Sequence, residues 1–160
     1  MTGARIVLLM LACVGLSGCS PLLVQKASDA DDSRAKQFSA DAARAIIYVY
    51  RDDTFLGGDV TSNIYVGEKP VAEGARNRFN VLSLPPGHYT FSSASNEAGA
   101  LQALLHNRDK PLVDLTVEAG KLYFVHEKWE GISGFFLHSA TREEAEPSIM
   151  KGRLTASREL

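Results

Sequence analysis

Between residues 45 and 140 the chain is a succession of short β-branched and aromatic runs, each broken by glycine or proline. "AIIYVYRDD" puts Ile46, Tyr48 and Tyr50 on one face of a strand and Ile47, Val49 and Arg51 on the other. Both faces are apolar almost to the end, the signature of a central strand covered on two sides. "SNIYVGEKPVAEG" reads as a strand, a turn around Gly67-Glu68-Lys69 and a short returning strand. "RFNVLSLPPGHYTFSSAS" reads as a hairpin from Phe79–Leu84 to Tyr89–Ser93, because Pro85-Pro86-Gly87 stops a hydrogen-bonded ladder and reverses it. A second pair, Leu112–Val117 and Lys121–Lys128, turns at Glu118-Ala119-Gly120, and "GFFLHSA" supplies a last strand from Gly134. Short strands with turns at near-regular spacing predict a mainly β fold, a small antiparallel β-sandwich or partly open barrel.

Two segments carry a helical signature. "SNEAGALQALLHNRDKP" spaces Leu101, Leu104 and Leu105 on one helical face, which predicts a short inserted helix lying across the sandwich. Thr141 and Glu144 have the spacing of a capping box, so a C-terminal helix starts there, and Pro147 argues against its continuation.

Residues 1–18 are different in kind. Arg5 is the one charge before Ile6–Leu16, an uncharged run about half the ~20 residues a spanning helix requires. That pattern is a secretory leader, with Ser17 and Gly18 as the small residues before cleavage. A cysteine immediately afterwards is unnecessary for plain secretion. Leu16-Ser17-Gly18-Cys19 resembles the lipobox of bacterial lipoprotein precursors at all four positions. The resemblance implies a diacylglycerol thioether on Cys19, cleavage between Gly18 and Cys19, and further acylation of the new amino group. Thiolate is the strong soft nucleophile such a linkage needs, and two or more chains convert marginal binding into durable anchoring. Ser20, rather than Asp, resembles the outer-membrane sorting pattern of enteric bacteria. Cys13 leaves with the leader, so no intrachain disulfide is expected.

The expected organisation is a leader at 1–18, a flexible tether at 19–44, a sandwich domain at 45–146 and a tail at 147–160. Ser20–Arg44 is rich in Ala, Ser, Asp, Lys and Gln, a composition that buries little by itself, and some helix is expected across Arg34–Arg44 of this tether.

The span from Ala45 to about Glu146 resembles an uncharacterised β-domain family of bacterial envelope lipoproteins, a domain of unknown function. The pieces that carry it are Ile47-Tyr48-Val49-Tyr50-Arg51, Ile64-Tyr65-Val66-Gly67, Leu84-Pro85-Pro86-Gly87-His88-Tyr89 and Val117–Phe124. The proline turn also looks like that of small PEGA and transthyretin-like sandwich modules. The resemblance implies no activity and no catalytic residue.

Chemistry-bearing motifs are sparse. His88, His106, His126 and His138 lack the tight spacing of metal ligands, and His126 and Glu127 point to opposite faces of their strand, so rim or surface histidines and no cofactor are expected. "FLGGD" lacks the context of a phosphate loop, and no Gly-x-Ser-x-Gly elbow occurs. Asp52-Asp53 and Glu143-Glu144 read as a turn and a helix start. Net charge is −2, or −3 without Arg5, and no basic footprint for nucleic acid is present. "KWEGISGFF" gathers Trp129, Phe135 and Phe136 at a hairpin end, either capping the core or gripping a partner. These features point to a non-enzymatic module, anchored to a membrane through Cys19, that contacts another envelope protein or a cell-wall component. The other reading is a small-molecule or glycan-binding module with the Leu101–Leu105 helix as its lid.

Overall fold

The computed structural model describes residues 25–55, 59–96, 112–131 and 134–156. Cys19 and the expected helix at 101–105 lie outside those residues. Among the described residues, nine strands and two helices follow in chain order: α1 (Asp29–Ala35), β1 (Ala45–Arg51), β2 (Ser62–Val66), β3 (Lys69–Gly74), β4 (Arg78–Leu84), β5 (Gly87–Ser95), β6 (Val113–Val117), β7 (Leu122–Trp129), β8 (Phe135–Ala140), α2 (Arg142–Lys151) and β9 (Arg153–Leu154). They form two sheets, ordered β8-β7-β1-β4-β9 and β3-β2-β5-β6. The fold is a mainly β sandwich with helices added.

β1 is the central strand of the larger sheet and is buried on both faces, as its sequence predicts. Ile47 and Val49, with Val125 and Leu137 of the same sheet, face the other sheet, where Ile64, Val71, Phe91 and Val117 complete the inner core. Tyr48 and Tyr50 face outward into a second core with Phe38, Phe79, Phe124, Ala145, Ile149 and Leu154. Two pairings depart from the antiparallel expectation: β1 with β7 and β4 with β9 are parallel.

Both predicted turns around Pro85-Pro86 and Glu118-Gly120 reverse the chain without making a hairpin. β4 pairs with β1 while β5 pairs with β2 and β6, so the proline corner carries the chain from one sheet to the other. β6 and β7 likewise belong to different sheets. A proline has no N–H to extend a ladder, and a corner that changes sheets satisfies that as well as a hairpin does. The β2–β3 turn is a true hairpin, with Gly67 at φ 59°.

The flexible tether and the tail both need correction. α1 is capped by the Ser28 side chain and buries Asp32, while Phe38 enters the outer core at φ 50°. Such a backbone is uncommon for a bulky residue. Here the Phe38 ring is held 5.1 Å from Tyr48 and 6.2 Å from Phe124, with the Arg142 guanidinium 4.9 Å above it. Tyr48 also donates its hydroxyl to the Ala35 carbonyl at 2.7 Å.

α2 has the predicted capping box between Thr141 and Glu144, and it continues through Pro147 to Lys151. Losing one helix hydrogen bond at proline costs about 3 kcal/mol in an open helix. Burial of Ala145 and Ile149 on either side of Pro147 offsets that cost. The fold therefore runs past residue 146, and β9 then pairs with β4.

Candidate functional site

The strand ends at Arg51, Trp129 and Phe135 form one rim of the sandwich, and polar groups turn inward there. Arg51 and Glu127 are on the inner faces of β1 and β7, with side chains 4% and 1% exposed. The Arg51 guanidinium donates to Glu127 Oε2 from Nε at 2.9 Å and from Nη2 at 2.7 Å. It also reaches the opposite sheet, donating to Ser62 Oγ at 2.7 Å and to the Val60 carbonyl at 2.6 Å. Ser62, at 2.6 Å, and Ser93 donate their hydroxyls to Glu127 Oε1. Burial pushes the Arg51 pKa down, and the Glu127 charge and hydrogen bond oppose that shift.

Two further contacts complete this knot. The Phe135 ring lies 3.6 Å under the Arg51 guanidinium, a cation–π arrangement, with Trp129 edge-on to Phe135 at 4.9 Å. Gly74 faces the cluster so closely that a Cβ there would overlap Glu127, Ser62 and Arg51 atoms. The knot thus ties β1 and β7 to β2, β3 and β5.

Outward of the knot is a half-open cavity of about 550 Å³, lined by Asp52, Phe55, His126, Lys128 and Trp129 over Arg51 and Glu127. Phe55 is 88% exposed. Around the sheet edge a second cavity of about 340 Å³ is lined by Tyr50, Asp52, His126, Lys128, His138 and Glu144. His126 stacks on Tyr50, with ring centroids 4.5 Å apart, and bonds Asp52 Oδ2 through Nε2 at 2.9 Å.

Burial pushes the His126 pKa down, aided by Lys128 and His138 and opposed by Asp52. At neutral pH the imidazole is uncharged and donates to the carboxylate. Burial, with the Asp52 and Glu144 charges, pushes the Tyr50 hydroxyl up to about 12, so it remains a neutral donor. Asp52 Oδ1 has no hydrogen-bond partner in its buried position. This end of the molecule therefore offers aromatic surface, a buried ion pair, neutral polar groups and the Asp52 carboxylate side by side.

The residues expected at a partner-binding surface separate. Phe135 is 1% exposed and belongs to the knot, so it cannot touch a partner. Phe136 points to the opposite side of β8, half-buried and across from Lys128. Trp129 is half-buried at the cavity wall. His126 is not a rim histidine, its side chain being 13% exposed, whereas the His88 side chain is 64% exposed. Among the described residues no group of three or more His, Cys, Asp or Glu side chains could hold a metal ion. Phe55, Arg51 and Glu127 were not expected in the site. The one sequence signal was parity: Glu127 shares the inner face with Val125, and Arg51 with Val49.

Residues 41–134 match the family described as "Protein of unknown function (DUF2846)". The chain belongs to this family. The DUF2846 match contains Arg51, Ser62, Gly74, Ser93 and Glu127 and both sheets' central strands, and it ends just before Phe135. α1, β8, α2 and β9 lie outside it. The chain is also similar to an "Uncharacterized protein" of Haemophilus influenzae (strain ATCC 51907 / DSM 11121 / KW20 / Rd), 27% identical over 146 residues. That alignment covers 89% of this chain and 79% of the relative.

Proposed function

We propose that the chain is a lipoprotein of the bacterial cell envelope, anchored through acyl chains on Cys19 at the outer membrane and facing the periplasm. It is a non-enzymatic module that presents the knotted end of its sandwich to another envelope protein or to the cell wall. Leu16-Ser17-Gly18-Cys19 supports the anchoring. The observation that carries the binding role is Phe55, a large apolar side chain left 88% exposed beside Trp129 and an open cavity. Exposed aromatics at the mouth of a cavity are favoured recognition elements. The rigid knot beneath them holds the cavity wall in place.

Two measurements test this. Labelled palmitate should enter the protein and be absent from Cys19→Ser, which should also stay uncleaved. A photo-crosslinker at position 55 should give one stoichiometric adduct in living cells, absent when the crosslinker replaces Lys69, which is exposed at the opposite end of the sandwich. Identical adducts from both positions would remove the binding role.

The cavity itself favours a second reading. Its ~550 Å³ falls within the usual range of small-molecule sites, and its walls are aromatic with a few polar groups. A small ligand or glycan bound there would raise the melting temperature and change Trp129 fluorescence, whereas a protein partner docking on the rim would leave the isolated domain's melting unchanged until added.

A further inference from the structure

The segment that follows the proposed lipid site is stitched into the fold almost at once. Lys26 bridges Thr155 in antiparallel register. Ala27 N–H donates to the Leu154 carbonyl at 3.0 Å, and Ala156 N–H donates to the Gln25 carbonyl at 2.8 Å. Residues 25–27 therefore extend the five-stranded sheet beyond β9. Asp32 secures the next turn, accepting the Leu154 N–H at 2.7 Å and pairing with Lys36 at 2.9 Å, and Arg153 pairs with both Asp29 and Asp32.

The register gives this stitch a direction. β9 runs parallel to β4, with Arg153 beside Arg78 and Leu154 beside Phe79. Its partner runs antiparallel, so passing from Ala27 back to Gln25 moves along β4 toward Leu84. Leu84 is paired with Ala45, at the start of β1, whereas the cavity is at the end of β1. Residues 27 to 25 therefore point back toward the rim that holds Arg44, Pro85 and Ala119, opposite to Phe55 and Trp129.

From Cys19 to Gln25 is six residue steps, about 20 Å at full extension. Gln25 is level with the middle of β4, so reaching the rim at Leu84 uses about 10 Å of that, at ~3.3 Å per residue, whereas the rim at Arg78 takes the same ~10 Å and a reversal of the chain besides, which consumes the leash. A free tether over 19–44 would instead reach roughly 85 Å and allow any orientation.

We infer that the Arg44–Pro85–Ala119 rim is the membrane-apposed surface of this protein, held against the phospholipid headgroups by a leash too short to let the domain turn over. The occupant is the bilayer that carries the acyl chains, and the inference rests on the Cys19 anchoring proposed above. It adds that the Phe55 and Trp129 cavity is displayed away from the membrane, toward partners in the aqueous space.

The test uses the processed, lipid-bearing protein in phosphatidylethanolamine and phosphatidylglycerol vesicles. Cys13 is lost with the leader and the Cys19 sulfur is acylated, so an introduced thiol is the only one to label. A fluorophore on Ala119→Cys should lose most of its emission to nitroxide-headgroup lipids, and one on Glu130→Cys should lose none. Inserting about twelve Gly and Ser residues between Val24 and Gln25 adds a flexible span of ~20 Å and should abolish the difference while the protein still sediments with vesicles. Equal quenching at both positions in a sedimenting protein overturns the orientation alone, as does a difference that survives the insertion. A protein that does not sediment overturns the anchoring and the orientation together.

Discussion

The two faces of the five-stranded sheet are assembled from different parts of the chain. The inner face meets the second sheet through residues between Ala45 and Leu137, all within the strands. The outer face is closed by Phe38 before the first strand and by Ala145, Ile149 and Leu154 after the eighth. The inner core also contains charge, the Arg51–Glu127 knot, whereas the outer core is aromatic stacking with polar contacts at its margin. One layer is therefore fixed in register by hydrogen bonds across the sheets, and the other by segments far apart in sequence that meet only once the sheet exists. Breaking each layer should give a different signature.

The largest effect is expected inside. Arg51→Leu strands the Glu127 carboxylate in the sandwich and should cost about 3–5 kcal/mol, read by urea unfolding. Arg51→Met combined with Glu127→Leu removes both charges and should recover most of that loss, because an apolar pair can replace a buried ion pair. Failure to recover would mean that the bonds to Ser62 and Ser93, and not charge compensation, dominate the knot.

On the outer face, Phe38→Ala removes an aromatic packed on Tyr48 and Phe124 and should cost about 3 kcal/mol. It should also lower helical circular dichroism, which Arg51→Leu at equal destabilisation should not do in the native baseline. At the margin, Asp32→Asn weakens the contacts to Lys36 and Arg153 and should cost about 2 kcal/mol.

The smallest effects separate two sites on the outer face by pH. His126 has a folded pKa below its ordinary 6.5, so the unfolded chain takes up protons first as pH falls. Its contribution is complete above 6.5 and is lost on acidification below it, and His126→Phe should flatten the fall in melting temperature between neutral and mildly acidic pH. Asp32 acts in a lower window. Burial raises its pKa, but the bonds from Lys36 and Leu154 and the charges of Lys36 and Arg153 hold it below 3.8 overall. Its contribution is present above 3.8 and is lost as pH falls through the folded value. Asp32→Asn should remove that acid step and leave the His126 step unchanged.

Strands were legible because burial on alternate residues shows directly in runs such as Ile46–Tyr50. Their partners were less so. A turn such as Pro85-Pro86 fixes a reversal of direction but not whether the next strand pairs with the last or crosses to the other sheet. The site was mostly hidden. Ser62, Ser93 and Gly74 are ordinary residues for a β domain, and their approach to Glu127 depends on the packing of strands far apart in sequence. The helix expected across Arg34–Arg44 lies earlier, at Asp29–Ala35, because its buried Asp32 is fixed by Lys36 and by residues 153 and 154, which the local composition does not reveal.

Amide hydrogen exchange at Ala27, Leu154 and Ala156 tests the stitched amino-terminal segment most directly. Slow exchange at all three, comparable with that of Thr155 bonded to Phe79, is the result predicted by their hydrogen bonds. Exchange at the rate of an unstructured peptide at Ala27 and Ala156 would contradict it, returning residues 25–44 to a free tether and leaving the domain without a fixed orientation.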